Sequence, residues 1–214
     1  MHTVHTTFSL GQHRLHQITF TPDTFSKHDL LWLPHHTLLA NAGRKRQTEH
    51  LAGRIAAVHA LLEYNQNTVP APGDQRQPLW PAGLYGSISH CGTTALAVVS
   101  TRPVGIDIET LFTAQLSDEL ADSIIDPQER TLLLTAPLSF PHALTLVFSA
   151  KESLFKAWSA LAAPAPGFHS ARIVSLTTNT LVLQPCPAFS AHLSGTFVTF
   201  HWARLAQNIV TVTA

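Results

Sequence analysis

Apolar and polar residues mix over 13–20 (HRLHQITF) in the manner of a strand, and apolar residues then crowd at Leu30, Leu31, Trp32 and Leu33 before Pro34, a short helical or turn segment. From Arg44 to about Tyr64 the spacing becomes helical. Leu51, Ile55, Val58, Leu61 and Leu62 share one face, and Arg46, His50 and Arg54 take the opposite side. Residues 65–83 are rich in Pro, Asn, Gln and Gly and read as a loop, too short to separate independent domains. Strands are predicted at 85–90, 94–100 and 104–109, with turn signals at Gly92-Thr93 and Arg102-Pro103. Helical spacing returns after Glu109. Asp126-Pro127-Gln128-Glu129 supplies a capping Asp, Pro at the first helical position and Glu three residues after the cap. Pro141 opens a further helix to about Ala160, which Pro164, Pro166 and Gly167 are expected to end. The tail reads as strands at 171–176, 180–183, 195–203 and 209–213. Each half holds one principal helix and several strands. The order predicts an α+β chain with two similar halves, 1–102 and 103–214, meeting near 100–104, without a sequence repeat that marks a duplication.

Composition narrows the function classes. Of 214 residues 45% are hydrophobic, enough for a sizeable core, whereas only 12% are charged; about 25% is usual. Thr, Gln and His therefore carry much of the polar surface. Thirteen Lys and Arg balance thirteen Asp and Glu, so the broad basic face that nucleic-acid binding needs is not expected. Fourteen His make the net charge rise as pH falls. Cys91 and Cys186 are too few for a disulfide framework. His2, His5 and several Thr interrupt the opening stretch, which does not read as a secretory signal, and no apolar run reaches 18 residues. The expected compartment is the reducing cytoplasm.

Three segments carry candidate chemistry. In Gly105-Ile106-Asp107-Ile108-Glu109, strand alternation puts both carboxylates on one face. They repel unless a cation neutralises them, and hard oxygen ligands of this kind suit Mg²⁺; the alternative is a solvated acidic strand edge. In Phe148-Ser149-Ala150-Lys151-Glu152-Ser153-Leu154-Phe155-Lys156, Glu152 and Lys156 are four apart and share a helix face, which taken alone is an ordinary exposed pair. Gly86-Ser87-Ile88-Ser89-His90-Cys91 places hydroxyls and an imidazole at a strand end. Neighbouring strand residues point to opposite faces, which argues against His90 activating Cys91.

Taken together, these segments resemble the signature of the 4′-phosphopantetheinyl transferase superfamily. That signature is a Gly-Ile-Asp element followed, some forty residues on, by a Phe-Ser-x-Lys-Glu-Ser-x-x-Lys helix. Residues 42–54, 78–81 and 85–100 extend the resemblance toward members that serve siderophore biosynthesis, and it weakens after about Trp158. The resemblance implies two pseudo-symmetric α/β subdomains forming a pseudo-dimer, with coenzyme A in the cleft between them. It implies transfer of 4′-phosphopantetheine to a serine of apo aryl or peptidyl carrier proteins. Asp107, Glu109 and Glu152 would hold Mg²⁺ against the pyrophosphate, and Lys156 would bind the pyrophosphate and stabilise the leaving phosphate. Glu152 or a water on the metal would take the serine proton. His90 would contact a phosphate beside Ser89, and Arg46, Arg54 and Arg76 would reach the 3′-phosphate or the adenine end. A monomer is expected; loose association with a membrane or a multienzyme stays open.

Two other readings remain at this point: a different Mg²⁺-dependent enzyme that cleaves pyrophosphates, although no Gly-rich phosphate loop is present, and an inactive module that binds coenzyme A or a carrier. The segment 111–125 offers Leu111, Phe112, Leu116, Leu120, Ile124 and Ile125 as an apolar surface for the carrier, unless these residues pack into their own half.

Overall fold

Tight hairpins build the first sheet. The computed structural model describes residues 1–163 and 166–214, and the chain divides into two units, Met1–Val104 and Gly105–Ala214. In the first unit β1 (His2–Leu10) pairs with β2 (His13–Thr21), and β3 (Tyr85–Cys91) with β4 (Thr94–Ser100); the antiparallel order is β1-β2-β4-β3. The turn from β3 to β4 uses Gly92 at φ 57°, the left-handed region that glycine enters without steric cost. Strand β1 is absent from the sequence pattern. It lies at the sheet edge with every residue exposed or half-exposed, so it shows no buried face to create an apolar alternation.

Helix α1 (Arg44–Leu62) covers this sheet by a face that coincides only in part with the one predicted from its large residues: Leu51 and Leu61 are buried, Ile55 and Val58 half-buried and Leu62 exposed. Its buried stripe is Ala52, Ala56, Ala57, Ala60 and Leu61, packed on Ile18, Phe20, Ala95, Ala97 and Val99. Alanines let helix and sheet approach closely, whereas Leu62 is 48% exposed. On the opposite side Arg46 is exposed, whereas His50 is 7% and Arg54 5% exposed. The loop after α1 roofs it, and Arg54 Nε donates to the Pro70 carbonyl at 2.8 Å. Two short 3₁₀ turns, Lys27–Trp32 and His36–Leu39, seat Leu30, Leu33 and Leu39 on Leu51.

The second unit orders its sheet β5-β9-β8-β7-β6, with β5 (Ile106–Thr110), β6 (Ala171–Leu176), β7 (Thr180–Pro185), β8 (Val198–Leu205) and β9 (Asn208–Thr213), all antiparallel. Helix α4 (Phe140–Trp158) packs on it beside α2 (Ala114–Ile124) and α3 (Pro127–Thr135). Its core gathers Leu144, Leu146, Val147, Leu154, Leu181, Leu183 and Phe200. The predicted cap of α3 forms as a reciprocal pair: Asp126 accepts from the Gln128 and Glu129 amides at 2.9 and 2.8 Å, and Glu129 Oε2 accepts from the Asp126 amide at 2.9 Å. Helix α4 stops at Trp158, ahead of the expected terminators, of which Pro164 lies outside the described residues. Of the apolar residues at 111–125, Ile124 and Ile125 are core, Leu111, Phe112 and Leu120 pack against it, and Leu116 stays 37% exposed. Among the described residues no helix is long and apolar enough to cross a membrane.

Candidate active site

Asp107 sits in a strand sealed on both faces: Ile106 and Ile108 are fully buried and Asp107 is 2% exposed. Packing of β5 against α4 explains the preceding glycine. A Cβ on Gly105 would collide with the Ser153 carbonyl oxygen and stand 2.9 Å from the Ala157 amide nitrogen. Two serines of the same helix then fix its register. Ser149 Oγ and Ser153 Oγ lie 2.9 and 2.8 Å from the hydroxyl of Thr211, the residue paired with Asp107 across β5 and β9. With α4 pinned at that level, Lys156 Nζ donates to Asp107 Oδ1 at 2.5 Å.

Lys151 and Glu152, adjacent in sequence, part company on the helix. Lys151 turns inward, where its Nζ donates to Glu129 Oε1 at 2.9 Å and the Ile124 carbonyl at 2.8 Å. Glu129 Oε1 also accepts from the Ile173 amide at 3.0 Å, so this buried pair ties α4 to the ends of α2 and α3 and to β6. Burial lowers the Lys151 pKa while Glu129 opposes the shift. Spacing alone assigns Lys151 no role.

Glu152 keeps to the acidic side. Burial, more than the neighbouring Asp107, raises its pKa against the pull of Lys156. Burial also lifts Glu109 to about 7, with Asp107 and Glu152 adding repulsion and Lys156 opposing. Acids gathered this way repel one another, and the Lys156 ammonium opposes the upward shift of both glutamates. The donor set is all oxygen and fits a hard divalent cation, which takes one or two carboxylates and completes its shell with water and phosphate. Among the described residues no three His, Cys, Asp or Glu side chains stand as a ready-made metal cage; Asp107 is instead engaged by Lys156. Beside Glu152 opens a cavity of about 230 Å³ lined largely by apolar groups, including Phe155, Phe168 and Phe189.

The first unit holds a second cluster, of opposite sign. Arg46, His50, Arg54, Arg76 and His90 line one cavity of about 130 Å³ together with Glu49, and a neighbouring cavity of about 470 Å³ shares Arg46, His50 and Arg76 and adds His35 and Asp74. The four residues expected at a phosphate or the adenine end of the coenzyme, Arg46, Arg54, Arg76 and His90, therefore converge. Arg54 has no ion-pair partner among the described residues; burial and then Arg46 lower its pKa to about 10, so it remains charged. His90 Nδ1 lies 3.7 Å from Glu49 Oε1. His50 is held neutral, its pKa lowered to about 3, chiefly by burial and then by Arg54, and its Nε2 lies 2.8 Å from His35 Nε2. Sequence reasoning does not find His35 and His50 as cavity residues, since two scattered histidines carry no local signal. Ser89 is not brought to the cavity. It is buried on the face of β3 opposite His90 and Ile88, as strand alternation requires.

Known proteins share these segments. Residues 34–100 match the 4′-phosphopantetheinyl transferase N-terminal domain, and residues 103–211 match the 4′-phosphopantetheinyl transferase superfamily. Enterobactin synthase component D of Salmonella typhimurium is 52% identical over 212 residues, covering 99% of this chain and 90% of that protein. The protein of the same name from Escherichia coli strain K12 is 50% identical, covering 99% and 98%. The 4′-phosphopantetheinyl transferase PptT of Mycobacterium tuberculosis is 36% identical over 153 residues, 67% of this chain and 64% of that one. With both halves matched, and with Gly105, Asp107, Glu152 and Lys156 placed together by packing, the chain belongs to the 4′-phosphopantetheinyl transferase superfamily.

Proposed function

We propose that this transferase moves the 4′-phosphopantetheine arm of coenzyme A onto a serine of apo aryl or peptidyl carrier proteins in enterobactin-type siderophore synthesis, releasing adenosine 3′,5′-bisphosphate. The observation that carries the reading is the buried Asp107–Lys156 pair flanked by Glu109 and Glu152. Asp107, Glu109 and Glu152 would hold Mg²⁺, which when bound would offset charge on the pyrophosphate. Lys156 offers an ammonium to the phosphate that leaves. Glu152 would take the serine proton directly or through a water.

In the first unit, Arg46, Arg54, Arg76 and His90 form a cationic cavity whose buried Arg54 guanidinium has no carboxylate partner among the described residues, and a dianionic 3′-phosphate suits it. The uncharged pantetheine chain suits the apolar cavity beside Glu152. This reading extends to two pseudo-symmetric halves, 1–102 and 103–214, that share one coenzyme A, as the family resemblance implies. The test is mass spectrometry of an apo aryl and an apo peptidyl carrier protein after incubation with coenzyme A and Mg²⁺. Addition of one phosphopantetheine, abolished in Asp107→Ala, is the expected result. Cleavage of coenzyme A with no acceptor modified would make the protein a pyrophosphate hydrolase; intact coenzyme A with both carriers unmodified would make it a binding module.

A further inference from the structure

We propose that Lys156 is the resident counter-ion of the carboxylate cluster in the metal-free protein, and that a divalent cation must displace it from Asp107 to bind. The inference rests on the metal-binding reading of Asp107, Glu109 and Glu152. A carboxylate as buried as Asp107 (2% exposed) needs a cation close by. Here that cation is the Lys156 ammonium, 2.5 Å from Oδ1. A metal ion and an ammonium on the same carboxylate repel each other, so the two compete for Asp107.

The two lysines of α4 differ in access to solvent. Lys151 and its partner Glu129 have side chains only 3% exposed, and the Ile124 carbonyl holds the same ammonium, so Lys151 is fixed. The Lys156 side chain is 26% exposed on a flexible four-carbon stem, so its ammonium, unlike that of Lys151, would have solvent to enter when displaced. Once displaced, it sits one helical turn from Glu152, in reach of an anionic oxygen on the substrate. Binding of the metal and of a phosphate would then be mutually favourable, because each draws one member of the ion pair away from the other. By linkage the effect is reciprocal.

Calorimetric titration of Mg²⁺ into the full chain without coenzyme A tests the idea in the unmodified protein, Lys156→Met, Lys156→Gln and Lys156→Arg. The neutral variants should bind Mg²⁺ roughly tenfold more tightly, since no ion pair has to be broken. Lys156→Arg, which keeps a cation on Asp107, should stay close to the unmodified protein. Thermal unfolding in a chelator supplies a second readout: the neutral variants should melt lower than the unmodified protein and gain more from Mg²⁺. Equal or weaker Mg²⁺ affinity in both neutral variants overturns the displacement. Absence of Mg²⁺ binding in all four proteins overturns the metal assignment itself, and the inference with it.

Discussion

Asp107 and Glu152 differ from most buried acids in that removing either should leave the fold intact. Burial raises the pKa of Glu109 and Glu152, and Asp107 adds like-charge repulsion to both, which its removal relieves, as removal of Glu152 does for Glu109. Asp107→Ala or Glu152→Ala should cost transfer on the order of a hundredfold or more, as removal of a group that stabilises transition-state charge does. The melting temperature should hardly move; steady-state kinetics on an apo carrier and a melting curve measure both. Residues of the cationic cavity behave differently from one another. If they grip the 3′-phosphate, dephospho-coenzyme A should be the poorer donor, by about 1.5–3 kcal/mol for each charge-assisted hydrogen bond it cannot make. Arg46→Ala and His90→Ala should narrow the gap without loss of stability. Arg54→Ala should narrow it and also lower stability, because Arg54 is buried and its Nε supports the Pro70 carbonyl. Equal use of the two donors by the unmodified protein would exclude the 3′-phosphate from this cavity.

Helix α4 works on two sides, and the division is visible within its motif. One side carries Glu152 and Lys156 to β5; the other side carries Lys151 into the core. Lys151→Met fills the same space but leaves Glu129 buried without its cation, a destabilisation of about 3–5 kcal/mol. Denaturant unfolding should show this, whereas Glu152→Ala should not. Gly105→Ala attacks the same joint from the strand, since its Cβ meets the backbone of α4 and not a side chain that can turn away. Helix α2 and the residues leading into it separate core from surface in a similar way. Phe112 packs its ring 5.5 Å from that of Phe148 and should lower the melting temperature when replaced by Ala. Leu116, exposed, should when replaced raise only the Michaelis constant for the carrier if the carrier docks there.

Across the molecule, five histidines share an unusual condition. His5, His16, His35, His50 and His59 all have lowered pKa values, with burial the first cause in each case. The His5 ring stacks on those of His59 and His16 at 3.7 and 5.3 Å, and stacked imidazoles cannot all be charged cheaply. In the unfolded chain each titrates at about 6.5, so below that pH the unfolded state binds more protons than the folded one. Stability is therefore full above about 6.5 and falls with pH down to the folded values, for His50 about 3. Glu109, lifted to about 7, and Glu152, also raised, act in the opposite sense over this range, so it is in a Glu109→Gln, Glu152→Gln double variant that the urea midpoint should be clearly lower at about pH 5.5 than at about pH 7.5. Adding His50→Gln to that variant should reduce the difference; an unchanged midpoint across this range in the double variant would show that these rings are not neutral in the fold.

How much of this was legible in the chain follows from what each feature depends on. The capping box at Asp126, the helix of Phe148 to Lys156 and the strand of Asp107 rest on local spacing, and residue types at fixed intervals were enough to read them and the family they belong to. Sequence alone also determined which groups are available for the chemistry: carboxylates at Asp107, Glu109 and Glu152 and an ammonium at Lys156. Burial and long-range approach belong to the tertiary structure. Only packing decided that alanines carry most of the α1 face laid on the sheet while Leu62 stays exposed, and that Arg54 and His50 are buried. Only packing sent one lysine of α4 to Glu129 and the other to Asp107. Both have the same side chain, and a difference of five positions sets the direction each takes from the helix; which acid waits there depends on how α3 and β5 fold against it.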